Sequence, residues 1–330
     1  MLFVLLAMIL VFLPGCILKN KDSNTYKVRL NEVTRSVFYA PQYVAMELGY
    51  FKDENLDITL TTSEGSDKTM AAILSGQADI GLLGSSAVIS VCDQGKENGP
   101  KIFAELTCRD GSFLVGRDPE FSWEKLKGKK IIAGRKGGMP EMTLEHVLKK
   151  HGIDILNDVD LINNVQFNLM SMAFSRGIGD YVALFEPIAS LLPYEKENCY
   201  NLVPLALDCE KMVYTCYCAN SKYLSENPEI IKKFTRAIYR AQKWVKNNSP
   251  KEIARVILPY FLDLSDTMAE KCVKNYILAD VWPDSPLVNE SEFELSEDIM
   301  ILAGELKEKL DINKAVDNKI SREVINSMNN

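Results

Sequence analysis

The chain has 330 residues, enough for two domains with ample core. Hydrophobic residues make up 47% and charged residues 25%, the balance of a soluble globular protein rather than a disordered or fibrous one. The 38 basic and 45 acidic residues give a net charge of −7 and are interspersed, so no basic stripe offers a surface to nucleic acid.

Residues 1–13 carry no charge and fall short of the roughly 20 apolar residues that span a bilayer. They read as the apolar core of a secretory signal. The run closes on Leu13-Pro14-Gly15-Cys16, which resembles a bacterial lipobox. Cleavage there leaves Cys16 as the lipidated N-terminus of a chain held on the extracytoplasmic face of the cell membrane. Residues 1–16 are thus expected to be signal peptide and lipobox, and the polar, aperiodic stretch 17–25 a tether.

The folded part starts near Tyr26. Alternation predicts a strand over 26–33, and helical spacing follows over 41–48, with Pro41 in the first turn and Gly49 behind the last. A strand over 56–61, a helix over 67–75 and a short apolar strand over 80–83 complete a parallel α/β unit. The pattern then restarts, with strands over 102–106, 113–116, 129–133, 183–185, 201–207 and 212–219 and a helix over 142–151. From Pro228 the spacing is helical over 230–247, 250–260, 267–277 and 297–310. The reading is α/β, two units with a helical C-terminal region.

Seven cysteines remain after Cys16, at irregular spacing, and an odd set in a large domain is no disulfide framework. Cys216 and Cys218 share one strand face. With His146 and His151 as the only histidines, no second close pair completes a zinc site. No metal site and no cofactor are expected.

In open parallel sheets, ligands bind beyond the carboxyl ends of the strands. Three loops there stand out: Phe38, Tyr39 and Gln42 before a helix start; Glu64, Gly65 and Ser66; and Gly84, Ser85 and Ser86. They offer free N–H groups, hydroxyls and aromatic faces to one cleft. Each alone reads more readily as turn and N-cap chemistry than as a site. Their shared position favours a site.

Residues 38–57, beginning Phe38-Tyr39-Ala40-Pro41-Gln42, and the run Ser75-Gly76-Gln77-Ala78-Asp79-Ile80-Gly81 resemble substrate-binding proteins of ABC importers. The group is the one that takes thiamine-pyrimidine precursors, alkanesulfonates, taurine and nitrate. Leu126-Lys127-Gly128-Lys129-Lys130-Ile131 and Glu186-Pro187 resemble its second domain. The resemblance implies a two-lobed periplasmic-binding-protein-like type II fold, with lobe I over 26–117 plus 212–330 and lobe II over 118–211. It implies a monomer that hands a small molecule to permease and ATPase subunits, and no catalysis. On the residues themselves, the loop over 134–141 becomes the second lobe's ligand loop, with Gly137, Gly138, Met139 and Glu141 as candidates.

Glu64, Glu141 and Glu186 set against Arg135 and Lys136 favour a neutral or weakly cationic ligand over a sulfonate or nitrate, whose charge would need pairing. A planar nitrogen heterocycle of the thiamine-pyrimidine type suits these carboxylates, with Phe38, Tyr39 or Tyr181 to stack on it. Tyr214 and Trp282 are further candidates to line the cleft. Glu141 also reads as a first-turn acid, Glu186 as a helix cap, and both histidines as surface residues. The similar pyrimidine-precursor synthases need a Schiff-base lysine and a cleft histidine. Neither histidine falls on a candidate loop. A ligand-sensing lipoprotein is the remaining alternative.

Overall fold

The computed structural model describes residues 25–95 and 99–329. Cys16, the signal segment and the first part of the tether lie outside them. Two five-stranded sheets carry the architecture. The first holds β1 (Tyr26–Glu32), β2 (Leu56–Thr62), β3 (Ile80–Gly84), β4 (Pro100–Thr107) and β10 (Thr215–Asn220), in the order β2-β1-β3-β10-β4. The second holds β5 (Ser112–Gly116), β6 (Lys129–Ile132), β7 (Val159–Ile162), β8 (Tyr181–Phe185) and β9 (Tyr200–Pro204), in the order β7-β6-β8-β5-β9. β1 lies parallel to β2 and β3, and β6 parallel to β7 and β8. In the first sheet β10 runs antiparallel to both its neighbours, as β5 does in the second.

The chain passes from one sheet to the other at residues 108–111 and returns at residues 205–214. Strand β5, expected at the end of the first lobe, is hydrogen-bonded into the second sheet between β8 and β9. The sequence does not predict the half-exposed edge strand over Val159–Ile162. Its four residues are half exposed or exposed, so neither alternation nor a solid apolar run marks it.

Buried positions repeat through the helices as the spacing requires. Pro228–Asn247 turns Ile231, Phe234, Ile238 and Val245 inward and holds Glu54 through Nε and Nη2 of Arg236, at 2.8 and 3.0 Å. The helix expected over 297–310 runs instead over Glu290–Leu302. Asn289 caps it by accepting from the Ser291 N–H, and Gly304, at φ 79°, follows its last turn. This helix packs on both Ser85–Asp93 and Met139–Lys150, one from each side of the molecule. No helix of the described residues is long and apolar enough to cross a membrane.

Candidate functional site: an aromatic-floored cleft between two sheets

Loops leaving the carboxyl ends of β1, β2, β3, β6 and β7 and the last residue of β8, Phe185, meet around a cleft of about 840 Å³. Three helices begin at its wall, Ser66–Leu74, Ser85–Asp93 and Met139–Lys150. Their N-caps are Gly65, Gly84 and Gly138, and none has a side chain accepting from its first turn. Apart from the Ser85 N–H, which donates to the Tyr214 carbonyl at 3.1 Å, first-turn N–H groups are thus left to whatever enters the cleft. Glycine is required at Gly65, where φ is 153° and a Cβ would lie 2.7 Å from the Asp67 carboxylate.

The floor is aromatic. Phe38 packs against Tyr39, Phe185, Tyr214 and Tyr276 at centroid distances of 5.7, 5.4, 5.7 and 5.2 Å, and Phe167 meets Phe185 at 5.5 Å. Around this floor stand uncharged polar groups: Thr34, Ser66, Ser86, Asn163, Gln166 and Thr215. Four further charged side chains besides Asp67 line the wall, Glu64, Lys68, Arg135 and Lys136. Arg135 forms an ion pair with Asp67 at 2.6 Å, and Glu64 accepts from the Asn168 amide at 2.8 Å.

Of the residues singled out in the sequence, the cleft is lined by Phe38, Tyr39, Glu64, Gly65, Ser66, Gly84, Ser86, Gly137, Gly138, Met139 and Tyr214. Gln42, Ser85, Glu141, Glu186 and Trp282 do not line it. Each instead satisfies a partner inside the protein. Gln42 donates to Glu32 at 2.8 Å and accepts from the Tyr217 hydroxyl at 3.1 Å. Ser85 donates to the Val213 carbonyl at 2.5 Å. Glu141 accepts from the Gly137 N–H at 3.2 Å and the Asn163 amide at 3.4 Å, so it shapes two cleft loops from behind. Trp282 donates its indole N–H to the Phe38 carbonyl at 2.9 Å.

Glu186 is fully buried. It accepts from the Ser190 N–H and hydroxyl at 2.9 and 2.8 Å and from the Asn275 amide at 2.6 Å. Burial pushes its carboxyl above the usual range, while the Asn275 and Ser190 bonds pull the other way. Tyr181 packs on Gly116, where a Cβ would sit 2.7 Å from its ring, and is no stacking platform for the cleft. Burial likewise pushes the Tyr39 and Tyr214 hydroxyls up.

Sequence reasoning missed Thr34, Asn163, Asn164, Gln166, Phe167, Phe185 and Thr215, all of which line the cleft. The paired asparagines after residue 162 were the available signal. They follow β7, a strand whose four residues leave no clear pattern in the sequence.

The histidines are not simple surface residues. His151 lies 2.9 Å from the Asp208 carboxylate and stacks on Trp123 at 4.1 Å, and His146 lies 3.6 Å from Glu210. Neither lines the cleft.

Two α/β sheets joined by two crossovers around one cleft constitute the periplasmic-binding-protein fold. The alkanesulfonate-binding protein SsuA from Xanthomonas axonopodis pv. citri, solved bound to MOPS, superposes with a TM-score of 0.70 at 14% identity over 88% of this chain and 98% of that one. The chain belongs to the NMT1/THI5 like family, whose pattern matches residues 37–253. It is 42% identical to the candidate binding protein YtlA of Bacillus subtilis (strain 168), over 95% of each chain. It is 26% identical to the 4-amino-5-hydroxymethyl-2-methylpyrimidine phosphate synthase of Candida albicans (strain WO-1), over 63% of each.

Proposed function

We propose that this protein is an extracytoplasmic solute-binding lipoprotein of an ABC importer, anchored through Cys16, that captures a small planar nitrogen heterocycle of the aminopyrimidine type. The observation that carries this reading is the composition of the cleft. An aromatic floor is ringed by amides and hydroxyls, and of the three bases that line the cleft, Lys68, Arg135 and Lys136, Arg135 is paired with Asp67. A flat ring gains dispersion and quadrupole contacts from Phe167 and Phe185, and its ring nitrogens and amine exchange hydrogen bonds with Asn163, Gln166 and Thr34. The pyrimidine product in the names of the synthase relatives supports the same ligand class. The lobes would close on the bound ligand, since the cleft draws residues from both sheets, and a permease would receive the closed form.

The glycine-capped helix starts favour a second reading, an alkanesulfonate whose oxygens take the free N–H groups. Thermal shift against aminopyrimidines, thiamine, flavins, taurine, alkanesulfonates and nitrate separates the two. Stabilisation by aminopyrimidines, weakened about tenfold in affinity by Phe167→Ala and lessened by Gln166→Ala, supports the heterocycle. Stabilisation by sulfonates alone overturns it in favour of the second reading. Binding of pyridoxal phosphate with release of a pyrimidine would instead mark a synthase, for which the position of both histidines outside the cleft is unsuited.

A further inference from the structure

Away from the cleft, the return crossover brings two neighbouring residues against a helix some sixty positions earlier in the chain. The His146 ring nitrogen, the Cys209 thiol and a Glu210 carboxylate oxygen all lie within 4.8 Å of one another. We propose that these three side chains bind a divalent metal ion of the zinc class, independently of the solute that the cleft takes.

The donor set is one imidazole, one thiol and one carboxylate, the ligand types that zinc prefers and that magnesium and calcium do not. The His146 Nε2 to Glu210 Oε2 distance of 3.6 Å is close to the separation of two ligands on a tetrahedral ion with bonds of about 2.0–2.2 Å. Two observations show atoms in want of a partner. His146 Nε2 is buried with no hydrogen-bond partner, and Cys209 is a free, buried thiol. A buried polar atom left unpaired is costly, and coordination would satisfy it.

The surroundings hold the donors in place. Lys150 takes the other Glu210 oxygen at 2.8 Å, leaving Oε2 for the ion, which is how outer partners orient a ligating carboxylate. Arg109 donates to the Cys209 and Ala206 carbonyls and so fixes the backbone beneath the thiol. Lys150 and Arg109 are opposed by Glu210 and by the thiolate that forms when the Cys209 proton passes to solvent on coordination. Three protein ligands leave a fourth position for water. His146 stands on Met139–Lys150, while Cys209 and Glu210 lie on the segment returning to the first sheet. The ion would therefore tie that segment to the second sheet's helix.

Cobalt(II) is the probe, because a cobalt-bound thiolate gives a charge-transfer band in the near ultraviolet. The intact protein should take up one equivalent and show the band. Cys209→Ser should abolish it. Glu210→Gln, at an exposed position that folding tolerates, should weaken cobalt and zinc binding at least tenfold, as should His146→Gln. Cys92→Ser, which removes the half-exposed thiol elsewhere, should leave both untouched. Absence of the band in the intact protein, or its survival in Cys209→Ser, overturns the site. Loss of the band in Cys92→Ser does the same by assigning the metal to a surface thiol. Failure of the solute panel leaves these outcomes unchanged, so the two readings fall separately.

Discussion

Arg135 Nη1 and Asp67 Oδ2 meet at 2.6 Å across the mouth of the cleft, joining a loop after β6 to the helix after β2. Both side chains are more than half exposed, so the pair is worth no more than about 1 kcal/mol. Asp67→Asn is expected to weaken solute binding by roughly two- to fivefold, with the effect fading at high salt. It should also expand the mean radius of the unliganded protein in solution X-ray scattering. An unchanged radius and affinity would show that the pair does not hold the cleft shut.

Gly111 sits on the first crossover against the Phe38 ring. A Cβ there would lie 2.5–2.8 Å from three ring atoms, and the ring is enclosed by Tyr39, Phe185, Tyr214 and Tyr276. Gly111→Ala should therefore destabilise by about 1–3 kcal/mol through overpacking and lower solute affinity by displacing the floor. Denaturant unfolding beside a binding titration checks both. A variant as stable as the wild type would mean that the floor is looser than its packing implies.

Gln42 and Glu32 form a buried polar cluster behind the cleft. Glu32 accepts from Gln42, Tyr43, Thr62 and Arg35 at 2.8–2.9 Å. Burial raises its carboxyl, and the Arg35 charge lowers it in part. Gln42→Ala removes one of the two hydrogen bonds to Glu32 Oε2 and leaves the Tyr217 hydroxyl without its acceptor, so a stability loss of roughly 1–3 kcal/mol is expected. Solute affinity measured well below the midpoint should stay within about twofold, since Gln42 does not line the cleft. A large loss of affinity with unchanged stability would place Gln42 on the ligand after all.

Asp110, on the same crossover as Gly111, is buried and pushed up to about 6, mainly by desolvation, against the pull of its Ser112 hydrogen bonds. In the unfolded chain it titrates near 3.8. Between these values the folded protein holds a proton that the unfolded chain has released. Its contribution to stability is full below pH 3.8 and is lost as pH rises through about 6. Asp110→Asn keeps an acceptor for Ser112 and should flatten that part of the pH profile, as melting temperatures across the window would show. An identical slope in the variant would assign the titration to another group.

Much of the first sheet is legible in the sequence because its strands and helices alternate with clear punctuation. β1 shows period two, and Gly49 and Gly76 stand just past helix ends at φ 75° and 74°. The cleft loops after β1, β2, β3 and β6 follow from strand order alone. What sequence cannot show is which polar side chain turns inward. Gln42, Glu141 and Glu186 belong to loops of the right kind, yet their partners, among them Glu32, Asn163 and Asn275, come from other elements. The second sheet's edge is hidden for a different reason, since β7 has only four residues and none is fully buried. His146 and Cys209 are separated by most of the second sheet, so only the return of the chain brings them together.

The position of β10 has a consequence for the order of assembly. The second sheet uses strands within residues 112–204, whereas β10, spanning Thr215–Asn220, is inserted between β3 and the edge strand β4 of the first sheet. A chain emerging N-terminus first can therefore finish its second sheet while the first still lacks the strand that joins β4 to β3. Until residue 220 arrives, β3 and β4 expose unpaired backbone edges, so a pause before that point leaves the N-terminal half, rather than the inserted half, open to mispairing.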